Sequence, residues 1–197
     1  MKKFLWICVC ALLCGAMTAE AQVWGGQLIL RGGFSTNNFK GDRSPQMGRL
    51  PGYNFSLDFN KAFRKGRGAY WNTGVMFGTR GYEIDYRRSN VKFRAHNFGI
   101  PFTLGYKYKV MGNLAVDGRF GTFFSVDMAG KWRDDGHDFM ISDMDGYHRC
   151  DGGILLGMGV WYKRINVEYT FRRGFGALED NGTSGSANHM IRLGYAF

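Results

Sequence analysis

Beyond residue 21 the chain has no apolar run approaching the ~20 residues that a membrane-spanning helix needs. If it crosses a bilayer it must do so as a closed β-barrel, the one other structure that satisfies every backbone polar group internally. Cysteine is also scarce. Cys8, Cys10 and Cys14 cluster at the N-terminus and Cys150 stands alone, so a chain trimmed at residue 21 cannot form an internal disulfide. Proline occurs three times. Acidic residues are outnumbered 16 to 26, for a net charge of +10. No phosphate-cradling glycine loop, paired metal cysteines or strong nucleophile motif is present, and neither a cofactor nor a metal is expected.

The N-terminus sets the compartment. Lys2 and Lys3 precede an uncharged apolar run, Phe4 to Met17, and Ala19-Glu20-Ala21 offers the small-x-small pattern of a cleavage site. Residues 1–21 are predicted to be a cleaved signal peptide, leaving one domain over 22–197. Lipoprotein processing at Cys14 is the alternative, disfavoured by Leu13 immediately before it. An exported basic protein rarely meets nucleic acid. The polyanions available to it are outer-membrane lipids and lipopolysaccharide phosphates, which its lysines and arginines attract.

Glycine (30 residues) and aromatics (16%) are abundant, and the prevailing period is two. Ile191, Leu193, Tyr195 and Phe197 alternate with Arg192, Gly194 and Ala196, while Val167, Tyr169 and Phe171 alternate with Asn166, Glu168, Thr170 and Arg172. Eight such segments are predicted: 24–34, 53–60, 69–80, 97–107, 114–126, 152–162, 164–172 and 189–197. The connections alternate strictly between long (35–52, 81–96, 127–151, 173–188) and short (61–68, 108–113, 163–164). Outer-membrane barrels alternate in this way, with short periplasmic turns and long outer loops.

The expected fold is therefore all-β: an eight-stranded antiparallel up-and-down transmembrane β-barrel with a filled polar lumen. Phe124, Tyr169, Tyr195 and Phe197 fall at interface heights, and Tyr195 with Phe197 forms a C-terminal insertion signal for barrel-assembly machinery. The inward faces carry Arg31, Asp58, Arg80, Asp117, Arg119, Glu168, Arg172 and Arg192. A barrel of eight strands is just wide enough for side chains to fill it, so these charges must pair with one another. Pro101 lies inside the fourth segment, where a bulge or a local break is expected because it has no N–H to donate.

Several of these stretches resemble the PorT-like outer-membrane β-barrel family of Gram-negative bacteria. The likeness rests on the Gly-rich opening strand 24–34, Pro51-Gly52-Tyr53-Asn54-Phe55, Asn97-Phe98-Gly99-Ile100-Pro101-Phe102, the Gly-rich strand 153–162 and the ending 191–197. It spans nearly all of residues 22–197. The Ile-Pro of the fourth strand recurs in that family, whereas Gly99 stands where an acidic residue is frequent. The resemblance implies an outer-membrane location and, by analogy with some members, a part in secretion or surface assembly with an envelope or secretion partner.

Candidate sites lie in the connections. Arg87, Arg88, Lys92 and Arg94 form a basic outer cluster suited to lipopolysaccharide phosphates. Lys61, Arg64, Lys65 and Arg67 crowd a short turn that would face lipid phosphates or a partner. His137, Ser142, Asp143 and His148 are the set that an outer-membrane lipid-modifying hydrolase or acyltransferase would use. Asp143-Met144-Asp145-Gly146 resembles the start of a calcium loop, but Ile154 occupies its twelfth position. The leading expectation is a non-enzymatic barrel serving surface binding, envelope structure or a secretion assembly. The hydrolase and a soluble lipocalin-like ligand-binding barrel are the alternatives. The last requires apolar faces inward and charges outward.

Overall fold

The computed structural model describes residues 26–40, 47–64, 68–86, 89–134, 137–140, 147–176 and 185–197. Nine strands follow in chain order: β1 Gly26–Lys40, β2 Met47–Ala62, β3 Ala69–Tyr86, β4 Ser89–Met111, β5 Leu114–Asp134, β6 His137–Met140, β7 Cys150–Tyr162, β8 Ile165–Gly174 and β9 Gly185–Ala196. All neighbours pair antiparallel, in the order β4-β3-β2-β1-β9-β8-β7-β5-β6, and β4 also pairs with β5. That last ladder closes the sheet. Eight strands form the ring, and β6 folds back on the end of β5 as a short hairpin arm. Among the described residues there is no helix long and apolar enough to cross a membrane.

The period-two pattern decides which side faces in. Ile191 and Leu193 are 65% and 61% exposed, while Arg192 between them is 3% exposed. Leu30, Phe55, Val75, Phe77, Phe98, Phe102, Leu156 and Val167 also point out, and Arg31, Asp58, Asn72, Arg119 and Glu168 point in. The barrel is inverted relative to a soluble one, with apolar side chains on its outer wall and polar ones in its lumen. This is the reverse of what a lipocalin-like barrel requires.

The strands are longer than the sequence pattern suggests. β3 and β4 pair as far as Tyr86↔Ser89, so most of the expected 81–96 loop is ladder. β5 runs on to Asp134, and β1 and β2 pair up to Asn37↔Leu50. Alternation in these extensions is broken by polar outward residues, because the outer face there no longer meets lipid. The outer arm has a small core of its own, with Tyr82, Phe93 and Ala95 packed against Trp132 and Tyr147.

Pro101 produces no bulge. The β4–β5 register runs through Ile100↔Phe124, Pro101↔Phe123 and Phe102↔Thr122 without a shift. Toward β3 the register is also conserved, from Thr73↔Phe102 to Met76↔Gly99, but the intervening pairs lapse. The break is thus confined to the side where an N–H is missing, and the Thr73 hydroxyl donates to the Pro101 carbonyl at 2.9 Å. Bulges occur elsewhere, at Arg49/Asn54 and His96/Asn97.

Close strand contact depends on glycine at a few positions. A Cβ on Gly121 would lie 2.0 Å from the Phe102 carbonyl oxygen and 2.8 Å from Thr103 Cγ2, whereas one on Gly118 would meet nothing within 4 Å. Gly121→Val should therefore lose at least about 1–3 kcal/mol through overpacking and sharply reduce the heat-modifiable folded band on a gel. Gly118→Ala should leave that band unchanged. Equal folding of both variants would contradict this close β4–β5 packing.

Candidate functional site

Three polar layers fill the lumen, and each is built from strands distant in sequence. In the middle layer Glu168 (β8) is shared by three guanidinium groups. Arg119 (β5) donates to its Oε1 at 2.5 Å, Arg192 (β9) donates to the same oxygen through Nε at 2.7 Å, and Arg31 (β1) reaches Oε2 at 3.0 Å. Thr170 also donates to Oε1, at 3.1 Å. Arg31 pairs in addition with Asp58 (β2), which accepts from Ser56 at 2.9 Å. Three cations thus face two carboxylates, all almost fully buried.

The layer at the long-connection end is centred on Arg80 (β3). Its Nε donates to Asp127 at 2.7 Å and its Nη1 to Asp151 at 3.1 Å. Tyr147 donates to Asp127 and receives a 3.3 Å bond from Arg80. Burial pushes the Tyr147 phenol above its usual range, so it remains a donor. Asp151 also accepts from Ser186 at 2.6 Å and from the Gly176 amide at 3.0 Å. This layer ties Tyr147 and the His148 carbonyl, just before β7, to the top of the barrel.

At the short-turn end, Asp117 accepts from the Tyr70 hydroxyl and, at 2.9 Å, from Trp161 Nε1. Its partners are neutral. Arg172 makes no ion pair among the described residues. It contacts the Ser125 hydroxyl at 3.5 Å and lies 4.0 Å from the centroid of the Phe123 ring.

Glycine makes room for the long side chains. A Cβ on Gly157 would lie 2.6 Å from Arg119 Nε, and one on Gly194 would lie 2.9 Å from Arg31 Cγ.

All eight inward charges named from the sequence are buried, and six of them, Arg31, Asp58, Arg80, Arg119, Glu168 and Arg192, belong to ion pairs. The sequence reading missed Asp127 and Asp151, which it placed in a loop, together with the lumenal hydrogen-bonding residues Tyr70, Tyr147 and Trp161. Alternation continued past Val126 would have found Asp127.

The outer basic cluster is also differently composed. Arg87 and Arg88 lie outside the described residues. Lys92 and Arg94 sit on the outer face of β4, directly across the ladder from Arg133 and Lys131 of β5. These four cations and Leu50 line a groove of about 340 Å³. Leu50 packs over Gly81, where a Cβ would come within 2.9 Å of its Cδ2. Lys92 also pairs with Glu83 at 2.8 Å.

Immediately below the groove on the same wall is an aromatic cluster. His96 stacks on Phe77 and is hydrogen-bonded to the Tyr53 hydroxyl at 3.0 Å. Tyr195 and Phe197 meet edge to face at the opposite end of the barrel, with centroids 5.1 Å apart. Of the hydrolase candidates, Ser142 and Asp143 lie outside the described residues, as does the side chain of His137. His148 is exposed, and its carbonyl faces Arg80. The calcium-like stretch 143–146 is likewise outside them.

Comparison with known proteins agrees with this architecture. A family model described as "Outer membrane protein beta-barrel domain" matches residues 26–179. The chain belongs to this family. Its place is the outer membrane, with the short turns toward the periplasm and the long connections outside. Among solved structures it is similar to Neisserial surface protein A (NspA), at 9% identity over 88% of this chain and 99% of that one, with a TM-score of 0.52. It is also similar to Ail of Yersinia pestis in complex with the heparin analogue sucrose octasulfate (13% identity, 87% and 99% coverage, TM-score 0.47). The outer membrane enzyme PagL is a further neighbour (10% identity, 85% and 98%, TM-score 0.46). The likeness to NspA is one of fold. No curated protein matches the chain.

The lumen geometry separates its charges into two kinds. Glu168→Gln leaves three buried guanidinium groups short of a counter-charge and should cost about 3–5 kcal/mol, the range for breaking a buried pair. Arg172→Met removes a buried cation that has no carboxylate partner and should be neutral or stabilising. Urea unfolding in detergent, followed by the gel shift, measures both. Equal losses in the two variants would show that the pairing around Glu168 contributes nothing specific.

Proposed function

We propose that this chain is a non-enzymatic barrel of the PorT-like kind, exported by a cleaved signal peptide over residues 1–21 in a Gram-negative bacterium. Its outer wall binds lipopolysaccharide. The observation that carries this reading is the β4–β5 groove, where Lys92 stands opposite Arg133 and Arg94 opposite Lys131. Four cations on two adjacent rungs, with Glu83 paired to Lys92, concentrate positive charge along one short groove, which attracts a polyanion. Lys and Arg side chains make charge-assisted hydrogen bonds to phosphate oxygens. Leu50 gives the groove an apolar floor, and the Tyr53–His96–Phe77 cluster marks the headgroup level beneath it. A phosphorylated glycolipid in the outer leaflet presents phosphates and acyl chains in that same vertical order.

The Asn97–Phe102 motif supports the PorT-like assignment, and with it a role in envelope or secretion assembly. The lipid-binding wall would anchor the barrel there, while barrel-assembly machinery would insert it through the Tyr195–Phe197 end.

Binding of purified lipopolysaccharide to the detergent-solubilised barrel tests the reading. Wild-type affinity should fall as salt rises. Replacing Lys92, Arg94, Lys131 and Arg133 together by Gln should weaken it at least tenfold and flatten the salt dependence. Dephosphorylated lipid A should bind both proteins equally weakly. Undiminished binding of lipopolysaccharide by the quadruple variant would overturn the proposal.

A further inference from the structure

The lumen is filled through its middle but opens at the periplasmic end. A cavity of about 770 Å³ lies there among β1 to β5 and the short turns. Four cations line it: Arg64 after β2, Lys107 and Lys109 on β4, and Lys163 in the turn between β7 and β8. No carboxylate among the described residues joins that lining. Asp117 stands across the β4–β5 ladder from Lys107, and its own partners Tyr70 and Trp161 are neutral, so its charge offsets one of the four cations and leaves an excess of three.

We propose that this periplasmic mouth is a phosphate-binding site, separate from the outer groove and independent of its function. Lys107 is the central observation. Its side chain points into the barrel, its ammonium sits 3.4 Å from the centroid of the Trp161 ring, and it makes no ion pair among the described residues. A cation–π contact replaces little of an ammonium's hydration, so the group retains donors directed at the cavity. Lys163 adds a second, independent observation. It occupies a two-residue hairpin turn at φ 54°, a conformation that favours Gly or Asn over lysine. A lysine held there despite its backbone cost points to a use for its charge.

Cations converging from three separate parts of the chain on one concave, low-dielectric mouth focus the field and concentrate anions. The volume suits a headgroup or a small phosphate ester, and the Tyr70 hydroxyl edges the cavity wall. The phosphate has two possible sources. One is an inner-leaflet anionic phospholipid reaching in beside the exposed rings of Tyr106 and Tyr108. The other is a soluble phosphate ester of the periplasm.

The test uses the barrel in phosphatidylcholine nanodiscs, titrated calorimetrically with inorganic pyrophosphate. A parallel arm measures phosphatidylglycerol retained by the protein, by native mass spectrometry from mixed phosphatidylcholine–phosphatidylglycerol micelles. Lys107→Gln combined with Lys163→Asn should weaken the active arm at least tenfold. Asn suits the turn, so Lys163→Asn alone should fold normally and lose part of the binding. Both arms are run in a background with Lys92, Arg94, Lys131 and Arg133 replaced by Gln, so that phosphate held at the outer groove does not enter the signal. Pyrophosphate binding lost in the double variant supports the site with a soluble ester as ligand, and loss of retained phosphatidylglycerol alone supports it with a lipid headgroup. If both arms are indifferent to Lys107 and Lys163, the proposal is overturned.

Discussion

Glu168 holds the interior of this barrel together. Its two oxygens receive guanidinium groups from β1, β5 and β9, and Arg31 extends the connection to Asp58 on β2. One network therefore links five of the eight ring strands across the lumen, in addition to the hydrogen-bonded ladder around it. The wall cannot close on apolar side chains, because those face lipid. What fills the centre must be polar, and polar groups withdrawn from water must find partners. The ladder determines that a barrel forms, and the charge network determines that it is filled. Glycines at 157 and 194 are part of the same solution, since an arginine lies where each missing Cβ would be.

A filled centre leaves the two ends of the molecule chemically separate. Above it, Arg80, Asp127, Asp151 and Tyr147 fasten the outer arm, so that the β4–β5 wall projects as rigid ladder beyond the aromatic level. A cation pattern on ladder is set by register, which a loop would not provide. Below it, the Tyr70–Asp117–Trp161 contacts lie at the base of the periplasmic mouth with Lys107 against them, while Arg64, Lys109 and Lys163 line the open space beyond.

The phase of the strands was legible in the sequence because a lipid-facing barrel wall enforces strict alternation. Arg192 between Ile191 and Leu193 could be assigned inward with no other information. Strand ends were not legible. Once a strand rises above the membrane, its outer residues turn polar while its inner ones remain polar, and the period-two signal disappears though the ladder continues. For that reason Asp127 and Asp151 were read as loop acids, and Lys131 and Arg133 were not joined to Lys92 and Arg94. At Pro101 the local break, one of the two outcomes expected, occurs without a bulge. A strand residue's N–H and C=O point to the same neighbour, so the missing donor interrupts the β3 ladder alone, where Thr73 bonds the proline carbonyl.

The net charge of +10 is unevenly placed, and that distribution carries information that composition alone cannot. In the lumen Arg31, Arg80, Arg119, Arg172, Arg192 and Lys107 face Asp58, Asp117, Asp127, Asp151 and Glu168, which is close to balance. Much of the excess lies at the rims: Lys92, Arg94, Lys131 and Arg133 outside, and Arg64, Lys109 and Lys163 on the periplasmic side. A protein that needed positive charge merely for solubility would scatter it, and the middle of the lipid-facing wall holds a Lys or Arg only at a cost of about 2–4 kcal/mol. Cations gathered at the two headgroup levels, with an apolar belt between them, lie where a bilayer carries its own phosphates. Attraction at both levels would fix the depth of the barrel from two sides, so the charges that fit it for ligands also hold it in register with the membrane.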